Sequence, residues 1–319
     1  MVHSRRRVFV TGAAGVLGSR LVARLLAAGH AVRGLVLPGD PQRERLSQLG
    51  CEIWEGDICD PAALRGCCAD VDMVYHLAAI IISYDPTAFT RINLDGTAHV
   101  VTEAEASGVK HFVYISSASV TYPKRTPYAE SKLAAEKIVA AANFQHTIVR
   151  PTLVYDRNGG QELQMFLDYL LRFPFVPFIG DGGALKRPVL SDDIVEGLLA
   201  LAEREVAYGK TYNFSGAEPI SMLHFAQLLL RHRAQPKAFV HVPVALCIAA
   251  ARVLALCMPR PPLTLNAIAG VVNDANLDPS EAMRDLGYNP IGVREGFERC
   301  FPIVRPATVN VPNTGMGAP

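Results

Sequence analysis

The chain has 319 residues, of which half are hydrophobic and 19% charged, and its formal net charge is +1. Such a length can bury a sizeable core in one large domain or two. The balance lacks the basic excess of a nucleic-acid binder, so no nucleic-acid partner is expected. Seven scattered cysteines without a CxxC pair offer neither zinc spacing nor a disulfide framework. No metal site is expected, and free thiols suit a reducing, cytoplasmic setting. The basic residues 3–7 run directly into an apolar stretch without a signal-peptide core, which reads as a solvated tail.

Residues 8–18, VFVTGAAGVLG, predict a buried strand, a glycine turn and the start of a helix. Gly12 permits a tight turn, and Gly15 lets backbone approach a pyrophosphate. Gly18 lets the helix pack on its strand, and the helix start offers amides and a dipole to the anion. Three glycines alone also fit a tight turn that holds nothing. Further strands are predicted at 31–37, 51–55, 71–76, 111–116 and 147–149, alternating with helices after residue 40, over 89–107 and over 128–142. Alternation of this kind means parallel pairing and a sheet covered on both faces. The expectation is an α/β, doubly wound parallel Rossmann sheet over 6–150, with some later segments returning to it. From residue 151 the rhythm breaks into prolines, the run 180–183 (GDGG), and helices at about 192–204, 221–232 and 244–256. This predicts a smaller, mostly helical substrate-binding region over 151–303, then a loose tail at 304–319.

Ser117, Tyr128 and Lys132 form the most informative chemical group. Tyr128 and Lys132 are four apart in YAESK, on one helix face. Ser117 lies just past the C-terminal end of a strand, where open α/β sheets place ligands. A tyrosine, whose ordinary pKa is about 10, becomes a general acid or base near neutrality if a lysine ammonium favours its phenolate. Ser117 could then hold the substrate oxygen. The same spacing is also common on solvated helix faces.

Residues in a fixed order decide between these readings: TGxxGxxG at 11–18, Asp57, HLAA at 76–79, Asn93 in NLDGT, SSAS at 116–119, YxxxK at 128–132, and RP at 150–151. With GDGGALKRPVLSDDIVEGLLAL, GKTYNFSGAEPIS and DPSEAMRDLGYNP further on, the chain resembles an extended short-chain dehydrogenase/reductase over about residues 6–303. That superfamily, of NAD-dependent epimerase/dehydratase type, holds nucleotide-sugar epimerases and 3β-hydroxysteroid-type dehydrogenases. The resemblance implies an NAD or NADP cofactor and a small-molecule substrate. Gly12, Ala14, Gly15, Val16, Leu17 and Gly18 would cradle the pyrophosphate, and Asp57 and Ile58 would flank the adenine. Leu77, Ala78 and Ala79 would line the cofactor, and Pro151 would sit by the nicotinamide amide. Tyr128 would exchange the proton, Lys132 would tune it and bind the ribose, Asn93 would position the site, and Ser117 would hold the substrate. Ile80, Thr152, Lys186 and Arg187 would also meet the substrate. Helices resembling 93–107 and 128–142 commonly pair in the superfamily, which implies a homodimer.

The sequence also departs from the family pattern. Leu37 stands where many members carry an acid for NAD or an arginine for NADP, leaving Asp40 for a ribose or Arg43 and Arg45 for a phosphate. The reading leans to NAD. Residues 244–258, VALCIAAARVLALCM, are too short to span a bilayer, which takes roughly 20 apolar residues. A buried or interface helix is expected there, with membrane-surface contact as the alternative. With the following PRPPLTLNAIAGVVND, this segment looks like the C-terminal region of 3β-hydroxysteroid-type members and could wall an apolar pocket. The favoured activity is therefore interconversion of a secondary alcohol and a ketone on a hydrophobic or polycyclic substrate. A UDP-sugar C4-epimerase with tightly bound NAD is the alternative, and a non-catalytic dinucleotide sensor is a third reading.

Overall fold

The computed structural model describes residues 5–85, 87–157 and 160–301, apart from the side chain of Gln161. The expected tail at 304–319 lies outside them. In chain order the first half runs β1 (Arg7–Thr11), α1 (Val16–Ala27), β2 (Ala31–Val36), α2 (Arg43–Gln48), β3 (Glu52–Glu55) and β4 (Met73–His76). A π-helical turn at Phe89–Asp95 then leads into α3 (Gly96–Ala106), followed by β5 (His111–Ile115), α4 (Pro127–Ala141) and β6 (Gln145–Pro151). The second half contains β7 (Val154–Tyr155), α5 (Gln161–Leu171), β8 (Val176–Ile179), β9 (Leu185–Lys186), β10 (Val189–Leu190) and α6 (Ser191–Leu201). After these come β11 (Lys210–Phe214), β12 (Ile220–Ser221), α7 (Met222–His232), β13 (Phe239–Val242), α8 (Val244–Cys257), α9 (Leu265–Val272), α10 (Ser280–Leu286) and α11 (Val293–Cys300).

Seven strands form one parallel sheet in the order β11-β6-β5-β4-β1-β2-β3. The predicted Rossmann sheet is present. Its edge strand β11 comes from GKTYNFSGAEPIS, far along the chain, and Phe214 pairs with Pro151. Strand side chains alternate between faces. Val8 and Val10 therefore enter one core with Leu21, Leu25, Ile194 and Leu198, while Phe9 enters the other with Val74, Phe112 and Tyr114. The order reverses direction between β1 and β4, so the crevice at their C-terminal ends is where this topology places a ligand.

The second half has its own core, in which Leu163, Leu167, Phe178, Phe225, Leu229 and Phe297 meet. Paired two-strand segments, β10 with β7, β12 with β9 and β13 with β8, stitch the connections together. Arg20 of α1 ties the halves by binding Asp156, at 2.6 Å, and Asp192. The hydroxyl of Ser191 also donates to Asp156.

Candidate active site

The glycine turn sits at the crevice. Gly12 has φ +66°, and a Cβ there would come within 2.8 Å of the Ala78 amide nitrogen. Gly15 donates its amide to the Gly12 carbonyl at 3.0 Å, and a Cβ on Gly18 would run into that carbonyl. Helix α1 starts at Val16 without a side-chain cap and with no acidic residue in its first turn. Its first amides have no partner within the helix, and its dipole is not offset by a carboxylate. The turn therefore has room for backbone-bound oxygen and a donor set suited to a pyrophosphate.

A hydrogen-bonded chain fixes the next strand against this turn. Thr97 donates to the Asn93 carbonyl at 2.6 Å, so its oxygen must accept from His76 Nε2 at 2.9 Å. His76 Nδ1 is then an acceptor for the Thr11 hydroxyl at 2.7 Å, and Thr11 accepts from the Ala78 amide at 3.1 Å. Burial, aided by the nearby Lys132 charge, lowers the His76 pKa to about 3, consistent with a neutral ring. Asn93 lies in the π-helical turn and is 0% exposed. Its side chain accepts from the Ile80 amide at 2.8 Å and donates to the Ile80 carbonyl at 3.0 Å and to Ser131 Oγ at 3.2 Å. Ser131 in turn donates to the Tyr128 carbonyl at 2.8 Å. Asn93 thus clamps the 77–80 segment to the helix carrying Tyr128 and Lys132.

Helix α4 is capped by the Thr126 hydroxyl, which accepts from the Ala129 amide, and Pro127 occupies its first turn. The two serines before it divide their tasks. Ser116 is buried and donates to Glu136 at 2.5 Å, beside the Arg150 guanidinium that holds both Glu136 oxygens at 2.8 and 2.6 Å. Ser117 instead turns to the crevice, where it bonds Ser119 and meets the Tyr128 phenol.

The electrostatics differ from the sequence expectation. Tyr128 is driven well above its ordinary pKa, first by burial and then by the charge of Glu162, with the Ser117 hydrogen bond pulling partly the other way. Lys132 is 2% exposed, and its ammonium lies 4.3 Å from the Tyr114 ring centroid. Burial lowers its pKa to about 7, with Glu136 opposing. Desolvation of both groups therefore outweighs the lowering of Tyr128 by Lys132 that their spacing suggested. Among the described residues, the Lys132 ammonium has no hydrogen-bond acceptor, which leaves its donors free for a bound hydroxyl-bearing group.

Other expected residues divide between the crevice and the framework. Asp57 uses one oxygen to accept the Cys59 amide at 2.9 Å, and Ile58 packs on Gly96. Leu37 is exposed, the Asp40 carboxylate accepts its neighbour Gln42 at 2.8 Å, and Arg43 pairs with Glu55. Thr152 donates its hydroxyl to the Arg187 carbonyl. The Arg187 side chain bonds Asn276 at 2.7 Å and the Ala217 carbonyl at 2.9 Å, which pins loops together. Lys186 donates to the Asn273 carbonyl, and its ammonium lies 5.8 Å from the Tyr122 ring centroid. Sequence reading missed Tyr122 and Glu162. The charge of Glu162, in the first turn of α5, acts on Tyr128, Tyr122 and Lys186 together. A lone acid after a glycine pair carries no sequence signal for that role.

The fold and this crevice define a dinucleotide-dependent enzyme of the doubly wound class. The chain belongs to the NAD dependent epimerase/dehydratase family, whose sequence profile matches residues 8–214. It is an NAD(P)-dependent extended short-chain dehydrogenase/reductase. It is 27% identical over 339 aligned positions to the 3 beta-hydroxysteroid dehydrogenase/Delta 5-->4-isomerase of Mycobacterium tuberculosis, covering 93% of this chain and 90% of that one. The 2-alkyl-3-oxoalkanoate reductase of Stenotrophomonas maltophilia is 28% identical over 331 positions, covering 92% and 98%. Among solved structures, the dTDP-glucose 4,6-dehydratase DesIV of Streptomyces venezuelae superposes with a TM-score of 0.72 at 23% identity, covering 92% and 95%. That likeness concerns the fold.

Proposed function

We propose that the protein interconverts a ketone and a secondary alcohol on an apolar small molecule, with Tyr128 as the proton donor and acceptor and NAD as the preferred cofactor. The observation that carries this reading is the crevice itself, where Ser117 meets Tyr128 and Lys132 faces the same sheet edge as the Gly12 turn. Bound NAD(P) would supply or take up the hydride. In the reducing direction Ser117 would hold the carbonyl oxygen, and the phenol of Tyr128, kept protonated by its surroundings, would donate to it. Lys132 would bind ribose hydroxyls and stabilise the phenolate left when Tyr128 gives up its proton. Gly12, Ala14, Gly15, Val16, Leu17 and Gly18 would hold the pyrophosphate, Asp57 and Ile58 the adenine, and Leu77, Ala78, Ala79 and Pro151 the nicotinamide side. Ile80 would border the substrate.

One feature favours this activity over nucleotide-sugar epimerisation. Arg187 is engaged with Asn276 and Ala217, and Lys186 with Asn273, so the basic pair is held by framework partners. The named substrates of the two curated relatives, a 3 beta-hydroxysteroid and a 2-alkyl-3-oxoalkanoate, each carry a hydroxyl or ketone on a largely hydrocarbon skeleton. Engagement of Arg43 by Glu55 favours NAD over its 2′-phosphorylated form.

The test is turnover of 2-alkyl-3-oxo acids and 3-oxosteroids followed at the reduced-nicotinamide absorbance, with UDP-sugars as the competing panel. Tyr128→Phe should lower kcat by about 10²–10⁴-fold with cofactor binding retained. Unchanged turnover, or epimerisation of a UDP-sugar without net absorbance change, would refute the reading.

A further inference from the structure

Apart from Arg252, helix α8 is apolar around its whole circumference, yet the protein covers only one side of it. Cys247 and Ala251 are buried against Ile179 and Ile268. On the opposite side Leu246, Val253 and Leu256 are 62%, 59% and 89% exposed, with Ala249, Ala250 and Cys257 exposed between them. These positions recur at three- and four-residue steps and form one continuous stripe. Met258, just beyond the helix, and Leu265, at the start of α9, extend it. The pocket wall suggested by sequence is therefore not built from this stripe, which faces outward. An outward apolar helix face of this length marks an interaction surface.

Charge points to what it meets. From residue 219 to residue 273 the chain contains no aspartate or glutamate, but it carries Arg231, Arg233, Lys237, Arg252 and Arg260. Arg252, within α8, and Arg260, two residues after Met258, are both exposed. A second copy of the chain docking through this face would bring arginine to arginine, and the 219–273 segment supplies no carboxylate to offset them. An anionic lipid surface offers both the apolar layer and the counter-charge. Among the described residues no helix is long and apolar enough to cross a membrane, so contact would be in the plane of the interface.

We propose that the α8 face docks the enzyme on an anionic lipid surface, with Leu246, Val253, Leu256 and Met258 entering the acyl boundary and Arg252 and Arg260 meeting headgroups. Docking through this face calls on none of Ser117, Tyr128 and Lys132, so the inference stands whether or not the proposed substrate class is right.

The test is flotation of the full chain with vesicles of phosphatidylcholine alone and of phosphatidylcholine with phosphatidylglycerol. Binding should be at least tenfold stronger to the anionic vesicles and fall as salt rises. A Val253→Glu, Leu256→Glu double variant should lose at least tenfold, and Arg252→Gln should lose less, each with unchanged melting temperature and NAD-induced stabilisation. Three results would overturn the proposal: no binding to anionic vesicles by folded protein, equal binding to both vesicle types, or equal binding by the double variant. A solution dimer that the double variant dissolves would assign the face to a second copy and overturn it as well.

Discussion

The crevice edge of the sheet and the outer layer of the second half solve opposite problems. At the crevice, polar groups are buried and nearly all are satisfied: Thr11, His76, Thr97 and Asn93 form a closed chain, and Glu136 serves Ser116 and Arg150 together. In the outer layer, apolar groups are left in water along α8. Buried polar networks fix a geometry because each missing partner is costly. Exposed apolar surface fixes nothing until something covers it. The contrast separates a part of the molecule built for position from a part built for contact.

The sharpest way to break the crevice side is at Gly12. Gly12→Val would force a branched side chain into a positive φ and onto the Ala78 backbone. The strain should cost about 1–3 kcal/mol of stability. The larger effect should be loss of the thermal stabilisation that NAD gives the parent. A variant that melts lower but is still stabilised by NAD to the parental extent would show that the turn does not hold the pyrophosphate.

Lys132 tests whether the crevice sacrifices stability for its task. Burial holds its folded pKa at about 7, against about 10.4 in an unfolded chain. Between those values the unfolded chain is protonated and the folded one is not, so folding stability should rise with pH from about 7 to about 10. Below pH 7 the full penalty is present. Lys132→Met should therefore be more stable than the parent at pH 6, on the order of 1–4 kcal/mol, with the gap closing toward pH 10. Urea denaturation at pH 6, 8 and 10 measures this, and a gap independent of pH would contradict it.

The smallest expected effect lies in the second half, at Glu162. Glu162→Gln removes a charge that adds to burial in keeping the Tyr128 phenol protonated. The basic limb of the kcat profile should move to lower pH by a fraction of a unit to about one unit, with rate near neutrality changed less than about tenfold. An unmoved profile would place Glu162 outside the reach of the reacting groups.

The crevice side was the more legible in sequence, for a physical reason. A parallel strand must be apolar throughout, a turn against a backbone must be glycine, and a helix pair four apart must share a face. Such local demands leave marks at Val8–Val10, Gly12 and Tyr128 with Lys132. The edge strand β11 had no such mark, because its place depends on pairing with β6 across an intervening stretch of chain. Tyr122 and Glu162 were silent for the same reason, since only the packing of α5 brings a carboxylate toward Tyr128. The opposing pKa movements of Tyr128 and Lys132 follow from burial, which spacing along a helix does not report. The outward side of α8 was ambiguous because an all-apolar helix does not say which of its faces is covered.

The direction of every proton in the chain from Ala78 through Thr11, His76 and Thr97 to Asn93 is set by its neighbours. A second proton on His76 would turn Nδ1 into a donor against the hydroxyl that already gives to it, and the Thr11 hydroxyl would have to turn its proton elsewhere. With the imidazole titrating only near pH 3, this does not happen in the range where the enzyme's other groups change charge. The alignment of the glycine turn with the tyrosine helix is thus insulated from acidity. A neutral histidine here serves as a spacer of fixed polarity, so that changes in pH alter which protons the crevice carries without altering where its walls stand.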